Sequence, residues 1–349
     1  MLITTLKKTA SMALITGAMA LAMNSFAQAD PVADFYSGRT VTVVAPSGTG
    51  GSIYLYALLV SNQIGKHIPG QPDVVVESRT GGGGISGANY VNQIAPKDGT
   101  VIGELHPSSL LAPSFERTTA TTQYNPTEFQ WLGSAVARTY VGAAWHDVPV
   151  NSLEEMRNTP VRFGANGRGS GSYQNPTFMA HVTGAQLEIF TGYSSGGETN
   201  LAIERGEIQG RGNYYTGFLA TNPDWIRDNK LKFVFKMGPD HPDLADVPAA
   251  TDIVAATGNE EYMRMLKLLE APLNVGQGFY VANEVPADRA KALREAFEAM
   301  VQDPEFLAQA ETFGLEISPV SADVISDIME DLASTPAGLA NRLDQIISD

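Results

Sequence analysis

The chain has no cysteine. That excludes disulfides, thiolate nucleophiles and thiolate-bound metals. Basic residues are scarce, with 23 Lys and Arg against 38 Asp and Glu. A surface of that sign repels phosphate, so nucleic acid is not expected as a partner. There are five histidines, His67, His106, His146, His181 and His241, and none stands at metal-ligand spacing from another. No metal and no cofactor is expected. A nucleophile elbow is also missing, because Gly169-Ser170-Gly171-Ser172 lacks the Gly-x-Ser-x-Gly spacing. Beyond residue 29 no apolar run approaches the roughly 20 residues of a membrane span.

The first 29 residues carry Lys7 and Lys8, then the apolar run MALITGAMALAM, then Ala27-Gln28-Ala29. A charged start, a short apolar stretch and a small-x-small end predict a secretory signal peptide cleaved after Ala29. Two of the 23 basic residues and none of the 38 acidic ones lie there, so residues 30–349 carry 21 against 38, a net charge of −17. Export without disulfides suits a bacterial periplasm, where a core of this size stabilises a fold unaided.

Along the rest of the chain, short β-branched runs alternate with helical patterns. Strands are predicted at 39–45 (RTVTVVA), 73–77, 100–105, 161–165, 187–190, 231–235 and 277–282. Several are apolar without a break, as strands covered on both faces are. A helix is predicted over 287–301, with Ala290, Leu293, Phe297 and Met300 on one face. Another opens at Asp303-Pro304 and stops at Gly314, and Ser321 caps a third. This alternation predicts an α/β fold with mostly parallel sheets. The run 130–145 (QWLGSAVARTYVGAAW) is long and strand-like and could cross between lobes; residues 236–250, rich in Pro, Gly and Asp, read as an irregular return.

Three loops after strands are rich in glycine and serine: 45–56 (APSGTGGSIYLY), 164–176 (GANGRGSGSYQNP) and 191–204 (TGYSSGGETNLAIE). A fourth, ESRTGGGGISGANYV at 77–91, holds four successive glycines. Loops between strand ends and helix N-termini are where α/β sheets bind ligands, and glycine lets backbone N–H groups approach an anion. Each loop alone fits a tight turn better than a ligand site; all three in one exported chain favour the site. None has the P-loop or dinucleotide spacing.

Together these segments resemble the substrate-binding proteins of tripartite tricarboxylate transporters, the TctC/Bug type. The resemblance spans nearly all of 30–349 and rests on VTVVAPSGTGG, VVVESRTGGGGISGANYV, APKDGTVIG, GANGRGS, GYSSGG, HPDLADVPAATDI and DPEFLAQAETFGLEISPVS in that order. It implies a two-lobed periplasmic binding protein (type II, Venus flytrap), each lobe a mostly parallel sheet flanked by helices. Lobe one is expected at 30–133 plus 238–349, and lobe two at 134–237. The implied function is capture of a small organic carboxylate in the interlobe cleft and delivery to a two-subunit membrane permease; a monomer without enzymatic activity is expected. A sensor feeding a membrane kinase would use the same cleft, and an exported enzyme would need a nucleophile–base pair that the sequence does not offer.

The ligand-binding residues so expected are Ser47, Gly48, Thr49, Gly50, Gly51, Ser52, Tyr54, His106, Ser108, Asn166, Gly167, Gly169, Ser170, Tyr173, Tyr193 and Asn213. Main-chain amides near 47–52 and 167–172 are expected to face each other across the cleft and hold the anion without an arginine. The sequence departs from the family at two points. Tyr54 stands where the family commonly has an acid and Leu58 where it has an arginine; Tyr173 stands where a histidine is common. Tyr54 and Tyr173 are therefore expected to line the cleft from opposite lobes and to shape selectivity.

Overall fold

A computed structural model describes residues 30–49 and 51–348. The expected leader, 1–29, and Gly50 lie outside the described residues. Ten strands form two sheets: β1 (Thr40–Ala45), β2 (Asp73–Ser78), β3 (Val101–Glu104), β4 (Gln130–Ser134), β5 (Tyr140–Trp145), β6 (Val161–Ala165), β7 (Leu187–Thr191), β8 (Gly210–Tyr214), β9 (Leu231–Met237) and β10 (Gly278–Val281). The first sheet runs β2-β1-β3-β10-β4 and the second β7-β6-β8-β5-β9. Helices flank both, giving a two-lobed α/β fold.

The sheets are mixed rather than mostly parallel. In the first, β1 pairs in parallel with β2 and β3, while β10 runs antiparallel to β3 and β4. In the second, β6 is parallel to β7 and β8, and β5 is antiparallel to β8 and β9. The parallel pairs come from strand–helix–strand crossovers within a lobe. β10 instead enters its sheet after the chain has visited the other lobe, and β5 opens the second sheet straight from the first. Such strands owe nothing to the crossover rule.

The uninterrupted valines of β1 follow from burial on two sides. Val41, Val43 and Ala45 pack with Tyr56, Leu59 and Val60 of the helix Ser52–Gln63. Val44 joins Ile85 and Ala88 in a different cluster on the opposite face. That cluster continues into the second lobe through Tyr140, Phe163 and Phe178. Burying these side chains at about 25 cal/mol per Å² of apolar surface is the main stabilising term of both lobes.

The helix starts follow their caps. The Asp303 carboxylate accepts from the Glu305 N–H at 2.8 Å and opens Pro304–Thr312. Ser321 opens Ala322–Ala333 in the same way. The helix Ala287–Met300 closes the first sheet with Leu293, Phe297 and Met300 fully buried.

The strand-like run 130–145 breaks into β4 and β5 at 135–139. There the backbone exchanges sheet partners for neighbouring chain segments. The Ala135 N–H donates to Gln277 O, Ala137 to Ser318 O and Arg138 to Leu273 O. Residues 135–139 thus carry the chain between the lobes, clamped against 273–277 and 318. On the way back, the helix Ala250–Ala255 packs on β9 and on the helix Gly171–Thr183 before the chain rejoins the first sheet. Among the described residues, no helix is long and apolar enough to cross a membrane.

Candidate functional site

The loops singled out in the sequence do join strands to helices: β1 to Ser52–Gln63, β6 to Gly171–Thr183, and β7 to Gly196–Glu204. Two loop systems meet where the lobes touch. From lobe one come the glycine run 81–84 and the turn 106–110 after β3; from lobe two comes the loop 167–171. The Gly171 N–H donates to Ser108 Oγ at 2.7 Å. A Cβ placed on Gly83 would lie 3.0 Å from Gly169 O, so the two backbones approach as closely as glycine permits. All four glycines 81–84 have positive φ. A Cβ on Gly84 would meet His106 Cβ at 2.4 Å, so this glycine lets the histidine fold back over the run.

The remaining expected residues fall into three settings. In the first loop, Ser47 O accepts from Ser78 Oγ at 2.7 Å, while Ser47 Oγ is buried without a partner. Gly51 caps the helix that Ser52 begins, Gly48 turns the loop by accepting from the Gly51 N–H, and Thr49 is exposed. In lobe two, Asn166, Gly167, Ser170 and Ser172 form a self-contained knot. Asn166 donates to Tyr193 O, Ser170 to Gly167 O, and the two serine hydroxyls lie 2.8 Å apart. Three residues pack mainly within their own lobes. Tyr54 is half-buried against the first-lobe cluster of Val41 and Tyr56. Tyr193 is packed against the second-lobe cluster of Ile203 and Ile208, and Asn213 against Gly217. Tyr173 is 6 % exposed, with the Arg168 guanidinium 5.6 Å from its ring centre.

The seam encloses a void of about 10 Å³ lined by Pro107, Ser108, Gly171, Gln174, Asn175 and Tyr214, among others. A larger hollow of about 790 Å³ lies elsewhere, between 110–127 and the helices Ala322–Ala333 and Ala337–Ile346. Leu111 borders both. Among the described residues, the larger hollow is lined mainly by Leu, Phe, Met and Ala.

Sequence reading missed the charged centre of the seam. Arg138, Glu104 and Gln277 are 0 %, 2 % and 0 % exposed. Arg138 Nη2 donates to Gln277 Oε1 at 2.5 Å, and Gln277 Nε2 donates to Glu104 Oε1. The guanidinium lies near two rings, 4.7 Å from Tyr56 of lobe one and 4.6 Å from Tyr214 of lobe two. Burial raises the Glu104 carboxyl well above the usual range, against the lowering pull of Arg138 and of the Gln277 hydrogen bond. The available signal was a single charge inside an apolar run: Arg138 in SAVARTYV and Glu104 in TVIGEL. A lone charge there must be paired or have a function.

His106 accepts from the Ser108 N–H at 3.3 Å. Burial and, secondarily, the charge of Arg138 push its imidazole down to about 4 from 6.5. The unfolded chain then binds a proton that the folded chain refuses between those values. Stability from this group is therefore present above pH 6.5 and lost as the pH falls toward 4. Glu104 acts in the opposite sense, losing stability as the pH rises above the ordinary carboxyl range. Replacing His106 isolates its own contribution. His106→Asn is expected to flatten the acid side of the stability curve, read by urea unfolding at about pH 7 and about pH 4.5. An unchanged slope would assign the acid sensitivity elsewhere.

Ser108→Ala leaves the Gly171 N–H without its acceptor. The expected cost is about 1–2 kcal/mol. Hydrogen exchange should report the loss at Gly171 before it reports any change in either sheet; uniform protection would refute the contact's importance.

A search of family models gives no match to the sequence, and a search of curated proteins gives none. Solved structures do match. The periplasmic binding protein BugD aligns at TM-score 0.68 and 19% identity, covering 90% of this chain and 98% of its own. MatC from Rhodopseudomonas palustris, solved with bound malate, aligns at 0.66 and 18%, covering 88% and 99%. Rpa4515 of R. palustris, solved with adipate, aligns at 0.63 and 13%, covering 89% and 97%. The two five-stranded sheets and their seam thus have the fold of a two-lobed periplasmic binding protein. More narrowly, it is the fold of TctC/Bug-type solute receptors.

Proposed function

We propose that this chain is a periplasmic solute-binding protein that captures a small organic carboxylate between its lobes. One observation carries the reading: glycine-rich loops from both lobes converge on one seam, joined by the Gly171 to Ser108 hydrogen bond. Ligand recognition in this architecture belongs at such a seam, where strand ends and helix N-termini from two lobes face each other. Two proteins of the same fold were solved with malate and with adipate. That likeness supports a carboxylate as the ligand class, and delivery to a tripartite tricarboxylate transporter permease follows from the same reading.

Lobe one is proposed to comprise 30–133 and 238–349, and lobe two 134–237; the strands of each sheet fall within those ranges except for Ser134. The loops 47–52 and 166–173, with His106 and Ser108, form the proposed ligand contacts, and Tyr173 is the stronger of the two tyrosine candidates. The expected leader at 1–29 supports a periplasmic location, and a monomer is proposed. The test is thermal-shift screening of the 30–349 chain against mono-, di- and tricarboxylates, followed by calorimetry. A ligand at 100 times its Kd stabilises the native state by about 2.7 kcal/mol, a readily measured shift. If no carboxylate raises the midpoint, the reading fails.

A further inference from the structure

We propose that Arg138 selects the ligand by charge, its guanidinium receiving the carboxylate of a small organic acid at the base of the interlobe seam. The inference rests on the solute-receptor reading above and assigns that receptor its counter-charge. It adds an arginine to a site where the sequence suggested an anion held by main-chain amides without one.

Four observations lead there. Arg138 is fully buried, yet its Nε and Nη1 have no hydrogen-bond partner. An arginine stays charged in a protein interior, and a buried guanidinium with unmet donors is among the least favourable arrangements a fold can hold. Second, no ion pair among the described residues engages Arg138. The acidic Glu104 is reached through Gln277 and keeps one oxygen, Oε2, unpartnered. Burial raises the Glu104 carboxyl, and no ion pair among the described residues joins it to the guanidinium.

Third, the ring centres of Tyr56 and Tyr214 lie 4.7 and 4.6 Å from the guanidinium carbon. Its unpartnered Nε and Nη1 form one edge of N–H groups, which matches a planar carboxylate. The Tyr56 hydroxyl is already engaged with Glu316 O at 2.8 Å, so that ring serves as a wall. Fourth, the position adjoins the seam. Tyr214 and Leu273 line the interlobe void, and Leu273 O accepts from the Arg138 N–H at 2.8 Å. A void of about 10 Å³ holds roughly one water, so a ligand reaches the guanidinium when the lobes part.

A purely structural arginine, stacked on two rings, is the competing account. It predicts that replacement alters stability and leaves ligand charge preference alone. The experiment titrates the 30–349 chain by calorimetry with malate, adipate and citrate, with the amide of whichever binds tightest, and with inorganic phosphate. The wild type is expected to prefer the acid over its amide by at least about 100-fold. Arg138→Met is expected to lose at least about 100-fold in affinity for the acid and to shrink the acid-to-amide ratio below about tenfold. Arg138→Lys, which keeps the charge but not the fork, should fall between them.

Equal binding of acid and amide by the wild type overturns the proposal without any variant, so a misfolded Arg138→Met does not shelter it. A folded Arg138→Met that keeps the full ratio also overturns it, while the receptor reading survives because the acid still binds. Tighter binding of phosphate than of every carboxylate overturns the ligand class. If no carboxylate binds the wild type at all, the receptor reading fails and this inference with it.

Discussion

Gly276→Ala is expected to lower the thermal midpoint by roughly 10 °C, the largest effect of any single methyl group added to this protein. Gly276 follows the helix Glu260–Val275 with φ 62° and ψ −125°. That backbone region is open essentially to glycine alone. A Cβ there would lie 1.8 Å from Val136 O and 2.8 Å from Ala137 Cα. Both obstacles are backbone atoms of the interlobe crossing, so no side chain can rotate away. Strain and overpacking together cost on the order of 4 kcal/mol. Differential scanning calorimetry of the variant decides the matter; a midpoint within about 2 °C of wild type would mean that the crossing is not held as described.

Gln277→Leu should come close behind, with a loss of about 3–5 kcal/mol. Leucine nearly preserves the volume but removes both side-chain hydrogen bonds. Arg138 then loses its side-chain acceptor, and Glu104 Oε1 loses the Gln277 donor. Unlike the glycine change, this one leaves two ionisable groups buried and unmet. The variant should recover stability in the Glu104→Gln, Arg138→Met background, where neither ionisable group remains. A double-mutant cycle in denaturant unfolding measures that recovery. Strict additivity would show that the three side chains do not act as a unit.

The sequence made much of the architecture legible, for identifiable reasons. β6 occupies the predicted 161–165, and the glycine-rich loops do sit between strand ends and helix starts. Local patterning decides such features, and tertiary context merely agrees. β8 was not legible, because GRGNY has almost none of the residues that favour strands. Its glycines answer to neighbours instead. A Cβ on Gly212 would fall 1.8 Å from the Tyr140 hydroxyl, and one on Gly210 would fall 2.4 Å from Ala143 O. Packing against β5 selects those residues, and a single strand's composition carries no trace of that.

The same division holds at the seam. The glycine run and Ser108 could be anticipated from loop position. The Arg138–Gln277–Glu104 group could not, since its members are brought together from β3, the interlobe crossing and the start of β10. Direction of travel was misread for a related reason. A chain that leaves a lobe and returns can enter the sheet either way, and alternation of strands and helices says nothing about which.

The two rings on Arg138 belong to different lobes. Should the lobes part, the cation keeps Tyr56 or Tyr214 on one side and meets water on the other. Closing an unloaded molecule is then the transfer of a single ion out of water, which hydration opposes. Closing around a carboxylate transfers a neutral pair, and that opposition largely disappears. If Arg138 receives a carboxylate as proposed, its own hydrated charge favours the open molecule and the ligand favours the closed one, so occupied and vacant molecules would differ in shape.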